Sequence, residues 1–475
     1  MRRRRAGLAA GAAVFGLFLA LPVPAGLLPA AWRTAAVAAL MAVWWVTEAI
    51  PIAATALLPL LLFPLLGVAD PVRTAAPYAN PLIFLFLGGF LVALAMERWG
   101  LPRRLALAAL RLFGTRPRAV IGGVMASSAL LSMWVSNTAT AMMMLPIGLS
   151  IVGLARSGRE EAETFARALM LGIAYACSIG GLATLVGTPP NAFLAAFLLE
   201  SYEIQIGFAQ WMMVGVPLVL VGLPLAHLLL TRVICPVRLP ELAGGQALLR
   251  EEAERLGPMR PAEKRVAAVF ALTAALWMAR PLLDDRIPGL SDPGIAVLGA
   301  LLLFLLPAGG GAGGALLDWR TAERTPWGVL LLFGGGLSLA AAIQATGLSR
   351  WIGGVIPGIA HWPPVLLVTV VAGAVMLLTE ITSNTATAAA FLPVLGSVAV
   401  GIGRDPLLLV LPAALAASTA FMLPVATPPN AIVYGSGAIT IPQMARAGVA
   451  VNLLFLVLIT LATFLLVPLV FGISA

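Results

Sequence analysis

The sequence predicts an all-α polytopic membrane protein of two inverted-topology repeats, with about 11 transmembrane helices and two re-entrant helical hairpins. Three observations carry that prediction. Of 475 residues, 61% are hydrophobic and only 10% charged, with a mean hydropathy of +1.01; a soluble domain carries charge on roughly a quarter of its residues. The two halves of the chain align on each other at constant offsets. Lys and Arg also gather on one side once the apolar runs are threaded through a bilayer.

The first run, 7–28, follows Met1-Arg2-Arg3-Arg4-Arg5. One reading is a cleaved signal peptide; the reading that fits the spans beyond it is a first transmembrane helix with a basic cytoplasmic flank. Spans follow at 32–47, 51–68 and 79–97, then a short amphipathic stretch from Pro102 to Phe113. Segments 119–135 and 139–155 flank a polar tip and read as a hairpin. Spans 162–186 and 208–231 lead into a charged linker, residues 232–264. The second half has spans at 265–282, 293–307 and 327–346, a short stretch 349–357, a second hairpin of 363–382 and 386–401, and spans 406–426 and 447–471. With the hairpins re-entrant and the N-terminus cytoplasmic, 23 Lys and Arg fall inside and six outside, the bias the positive-inside rule requires. The net charge of +9 therefore reflects membrane orientation, and no nucleic-acid partner is expected.

A shift of 247 residues places Phe86-Leu87-Gly88-Gly89 on Phe333-Gly334-Gly335-Gly336 and Gly100-Leu101 on Gly347-Leu348. The same shift places Ser136-Asn137-Thr138-Ala139-Thr140 on Ser383-Asn384-Thr385-Ala386-Thr387. At 239, Gly187-Thr188-Pro189-Pro190-Asn191 matches Ala426-Thr427-Pro428-Pro429-Asn430. The first hairpin enters from the cytoplasm and the second from outside, so the repeat is inverted, an architecture of transporters with a midplane site.

Each Ser-Asn-Thr tip sits between apolar segments. A helix ending before it leaves carbonyls free and one starting after it leaves amides free; carbonyls suit a cation, and amides with the helix dipole suit an anion. Hydrogen bonding between packed helices is the competing use of such residues, but duplication in symmetric hairpins favours a site. Each Pro-Pro pair removes two N–H donors and breaks its helix, predicting free carbonyls at Leu185 and Val186 and at Pro424 and Val425. Such backbone is tolerated at membrane depth only beside protein or a water-filled cavity. The Ser-Asn-Thr tips and Thr-Pro-Pro motifs of the four broken elements carry no Lys or Arg. An anion bound there needs a cation alongside, and sodium, a hard ion, accepts neutral oxygens. Glu48 reads as interfacial. Glu380, three residues before the second tip, either tunes a cation or carries a proton, or caps and pairs within its hairpin. Cys177 and Cys235, with His227 and His361, form neither a disulfide framework nor a transition-metal spacing. No cofactor is expected, and nothing resembles a catalytic cluster.

The paired tips, the paired Thr-Pro-Pro motifs and the segment Trp44-Trp45-Val46-Thr47-Glu48-Ala49-Ile50-Pro51 resemble the divalent anion/sodium symporter family over essentially the whole chain. The resemblance implies sodium-coupled uptake of dicarboxylates such as succinate, fumarate and malate across the inner membrane, by a homodimer working as an elevator. It implies a scaffold (1–118 and 265–357) and a transport part (119–231 and 358–475). A first sodium site would use Ser132, Ser136, Asn137 and Gly187, and a second Thr379, Thr382, Asn384 and Ala426, several through backbone carbonyls. Substrate carboxylates would meet Asn137, Thr138 and Thr188 from one half and Asn384, Thr385 and Thr427 from the other. Members that carry sulfate or citrate, or exchange dicarboxylates without sodium, remain alternatives.

Overall fold

Proline marks where many helices begin. It supplies a helical φ and lacks only an N–H that the first turn leaves unpaired, and eight helices among the described residues start on one. The computed structural model describes residues 2–114, 116–155, 159–239, 251–252, 254–309, 312–355 and 361–472. The first half contains α1 (Arg2–Ala20), α2 (Pro29–Thr47), α3 (Ile52–Thr55), α4 (Leu58–Leu65), α5 (Pro71–Ala75), α6 (Pro81–Arg98), α7 (Leu101–Leu110), α8 (Pro117–Ser132), α9 (Asn137–Val152), α10 (Arg159–Gly181), α11 (Pro189–Tyr202) and α12 (Phe208–Leu228). The second half contains α13 (Pro261–Leu283), α14 (Asp292–Leu305), α15 (Trp319–Ala322), α16 (Trp327–Ala345), α17 (Leu348–Val355), α18 (Pro364–Thr379), α19 (Asn384–Gly401), α20 (Leu407–Ala417), α21 (Pro428–Tyr434) and α22 (Ile441–Phe471).

Apart from the two spans that end in Pro-Pro motifs, the expected spans appear as helices, with three differences. The first ends at Ala20 rather than near residue 28, ahead of Pro22 and Pro24. The third is two short helices, α3 and α4, joined at Ala56 and Leu57. A two-stranded ribbon pairs Pro307–Gly309 with Ala312–Ala315, an element the helical pattern did not predict. Eight helices among the described residues are long and apolar enough to cross a membrane alone; α14 and α20 are shorter. The middle of the charged linker, 240–250 and 253, lies outside the described residues. Its far end is tied to α7, where Arg104 pairs with Glu263 at 2.5 Å and Arg103 with Glu252 at 2.7 Å.

The two halves interlock reciprocally. Gly88 of α6 presses against the backbone of Ala296 in α14, and Gly335 of α16 presses against the backbone of Ala56 between α3 and α4. A Cβ at either glycine would overlap its partner, which is why the repeated Gly-Gly lies there. The same exchange recurs at the centre, where α11 packs on α19 and α21 packs on α9. The Pro-Pro helix of each half therefore leans on the hairpin of the other. Buried aromatic contacts also join the halves: Phe193 with Phe333, and Tyr175 with Phe421. Helix α10 is the most central, with 89% of its apolar window buried against 28% for α13. Leu282, Leu305, Leu465 and Leu469 are exposed, an outer surface suited to lipid.

Candidate functional site

In the first hairpin α8 stops at Ser132, and α9 restarts at Asn137 with Ser136 as N-cap, its Oγ accepting from Ala139 N–H at 3.2 Å. Ser132 Oγ donates to Asn137 Oδ1 at 2.5 Å. The second hairpin repeats this pair: Thr379 Oγ1 lies 2.7 Å from Asn384 Oδ1 and 2.7 Å from the carbonyl of Ala417. Thr382 Oγ1 is engaged by its own hairpin, 2.8 Å from Leu378 O and 2.6 Å from Thr387 Oγ1. That leaves its backbone as the group free to serve a ligand.

The broken helices differ from the proline-based expectation. Helix α10 ends at Gly181 and α20 at Ala417, well before the Pro-Pro pairs, and the prolines begin the next helices instead. The carbonyls of Leu185, Val186, Pro424 and Val425 accept no backbone hydrogen bond among the described residues, as the prolines predict, and the carbonyls held by side chains lie further back. Asn191 Nδ2 donates to Gly181 O at 3.0 Å and Thr184 O at 2.8 Å. Asn430 Nδ2 donates to Ala420 O at 3.2 Å and Leu423 O at 3.0 Å. Helix propagation fails earlier because these side chains, with Thr184 Oγ1 donating to Met133 O at 2.5 Å, offer the unwound backbone partners that a helix would otherwise supply. Glycine is needed at the first break. A Cβ at Gly181 would lie 2.9 Å from Asn137 Oδ1 and 3.2 Å from Gly187 O, so these oxygens and Ser132 Oγ crowd into one small region.

The two unwound segments meet, Thr188 Oγ1 lying 3.5 Å from Ser418 Oγ. Beside them opens a cavity of about 1120 Å³. Of the twelve residues proposed from sequence, ten line it: Ser136, Asn137, Thr138, Gly187, Thr188, Thr382, Asn384, Thr385, Ala426 and Thr427. Ser132 and Thr379 stand behind, fully buried, against the two asparagines. The cavity also reaches Arg4, Glu48, Glu97 and Arg324, charged groups at helix ends that the four-element reading omitted. Glu48 is not merely interfacial: it ends α2 in a left-handed conformation, φ 48°, and lines the cavity.

Glu380 caps, but not within its own hairpin as the sequence suggests: its partners lie in the second unwound segment and in α22. It is buried, and its carboxylate accepts from the backbone N–H groups of Phe421 at 2.8 Å, Met422 at 3.0 Å and Leu423 at 3.2 Å, and from Asn452 Nδ2 at 2.8 Å. It thus holds the second unwound segment by its amides. Residue 133, its counterpart at the 247 offset, is methionine, so the halves are not chemically equivalent here. Ser418 and Asn452 carried no sequence signal. Asn191 and Asn430 did: both end the repeated five-residue motif.

Two interlocked half-chains, each bringing a re-entrant hairpin tip and a broken helix to one internal cavity, define an inverted-repeat membrane transporter. The chain belongs to the family of the sodium:sulfate symporter transmembrane region, whose model matches residues 3–472; it is a transporter and not an enzyme. It is 44% identical over 444 residues to the sodium-dependent dicarboxylate transporter SdcS of Staphylococcus aureus (strain USA300), covering 91% of this chain and 85% of that one. It is 44% identical over 478 residues to SdcS of Staphylococcus saprophyticus, covering 98% and 92%. Among solved structures, the YdaH transporter of Alcanivorax borkumensis superposes with a TM-score of 0.61 at 16% identity, over 85% of this chain and 90% of that one. MtrF of Neisseria gonorrhoeae, from a class of antimetabolite efflux pumps, gives 0.59 at 16% identity, over 85% and 83%. At that identity the two likenesses speak for the fold alone.

Proposed function

We propose that this protein is a secondary active transporter that couples sodium to the uptake of C4-dicarboxylates, succinate, fumarate and malate among them, across the cell inner membrane. The observation that carries the reading is the duplicated oxygen cluster: Ser132 with Asn137 and Thr379 with Asn384, each beside an unwound backbone and free of Lys or Arg. One sodium ion is held by Ser132, Ser136, Asn137 and Gly187, and a second by Thr379, Thr382, Asn384 and Ala426. The carboxylates of the substrate meet Asn137, Thr138 and Thr188 at one end and Asn384, Thr385 and Thr427 at the other. Neutral oxygens and amides leave a dianion uncompensated, so the cations supply the charge balance, which is the physical basis of coupling. The names of the staphylococcal relatives support both substrates.

Movement is of the elevator type, the transport part (119–231 and 358–475) sliding along the scaffold (1–118 and 265–357) within a homodimer. The cavity wall supports that division, with Phe90, Ala93 and Val329 facing the tips. The cavity also reaches Glu48, Glu97 and Arg324, on the side that the charge count assigns to the cytoplasm, which corresponds to an inward-open conformation with the N-terminus cytoplasmic.

Uptake of labelled succinate into proteoliposomes tests the reading. It should require an inward sodium gradient; uptake that ignores sodium, or that needs succinate inside, would reassign the protein as an exchanger. The description of the family favours sulfate as the second reading. Excess sulfate competing better than excess fumarate would establish it.

A further inference from the structure

Both Pro-Pro motifs end in an asparagine that the transport reading leaves without a role. Asn191 and Asn430 are each completely buried. Each spends both amide protons on two carbonyls of the unwound segment, ten and seven residues earlier, and the spacing is identical in the two halves. Each also leaves its Oδ1 buried without a donor among the described residues. The amide orientation is fixed, because the flipped form would set Oδ1 against two carbonyl oxygens. The same two hydrogen bonds, at the same spacing in both halves, mark a shared role in holding the unwound backbone.

What the amides fix is the local shape of the ion sites. Gly181, held by Asn191, faces Asn137 Oδ1 and the carbonyl of Gly187. Leu423 is held at both ends, its carbonyl by Asn430 and its N–H by Glu380, three residues before Ala426. We infer that Asn191 and Asn430 are positioning residues: each sets the spacing of the backbone oxygens that bind the coupling cation in its half, without touching the ion itself.

The inference rests on the sodium-coupled reading, so the wild-type protein is measured first in the same proteoliposomes. If its uptake ignores sodium, that reading falls and the clamps are judged on half-saturating succinate alone. The variants are Asn191→Asp and Asn430→Asp, which keep the shape but replace both donors with oxygen, and Asn191→Ala and Asn430→Ala, which remove the donors without adding charge. The readouts are half-saturating sodium, half-saturating succinate, maximal rate and the ligand-free melting temperature. Half-saturating sodium should rise about tenfold or more in each Asp variant, and less in each Ala variant, as expected when the loss of two hydrogen bonds misplaces a ligand. Maximal rate at saturating sodium should stay close to wild type, while the ligand-free melting temperature should fall in each variant because two buried carbonyls lose their donors; the rise in half-saturating sodium is the readout that separates positioning from structure alone. Unchanged half-saturation for both ligands would overturn the inference. So would a fall in melting temperature and maximal rate at unchanged half-saturation, or failure of all four variants to fold, either of which assigns the asparagines to structure alone.

Discussion

Glu380 offers the sharpest test of how the second unwound segment is held. Replacing it by alanine removes the acceptor of four N–H groups, three from the backbone of residues 421–423 and one from Asn452. Hydrogen bonds to a charged acceptor contribute about 1.5–3 kcal/mol each, so the loss of four comes to about 6 kcal/mol or more. Glutamine keeps one oxygen, which can serve Met422 and Leu423. Asn452 can turn its carboxamide so that Oδ1, otherwise without a protein donor, accepts from the new amide. That leaves Phe421 N–H alone unsatisfied, with the remaining bonds weakened to a neutral acceptor, a cost of about 2–4 kcal/mol. Melting of the purified protein and labelled succinate uptake measure both variants. The alanine variant should be severely destabilised and inactive, and the glutamine variant intermediate on both scales. An alanine variant that melts and transports like wild type would refute the reasoning, because the segment would then hold itself. A glutamine variant with wild-type melting but altered response to a pH gradient would make Glu380 a proton carrier instead.

Asn137→Ala and Asn384→Ala should each abolish succinate uptake while the protein still folds; activity in both would remove the proposed site. Asp292 is buried, accepts from Phe208 N–H at 2.8 Å and pairs with Arg280 at 3.2 Å. Asp292→Ala removes the acceptor of Phe208 N–H and leaves Arg280 with Asp284 alone, at 3.4 Å, and should cost about 2–3 kcal/mol by thermal or denaturant unfolding. Cys177 and Cys235 are free and buried, and burial pushes the Cys235 thiol up, with Arg167 opposing. Maleimide at pH 8 should therefore label the folded protein slowly and the denatured protein at both positions, as mass spectrometry would read.

The sequence by itself determined the membrane class, the two halves and the residues of the tips. Those signals are local or pairwise: apolar runs of bilayer length, polar triplets interrupting them, and identities at the offsets 247 and 239. Ten of the twelve residues chosen on that basis line one cavity. Proline also announced that two helices break, but not where. The chain leaves the helix at Gly181 and Ala417 because Asn191, Asn430 and Glu380 supply partners for the unwound backbone. Some of these bonds join residues 41 to 72 positions apart, a separation at which sequence carries no register. Only the tertiary structure decided that each half's broken helix packs on the other half's hairpin, and that charged helix ends reach the cavity. Those features depend on how closely backbones approach in three dimensions, as Gly88 on Ala296 and Gly335 on Ala56 do. A pattern of residue types along one chain does not encode that distance.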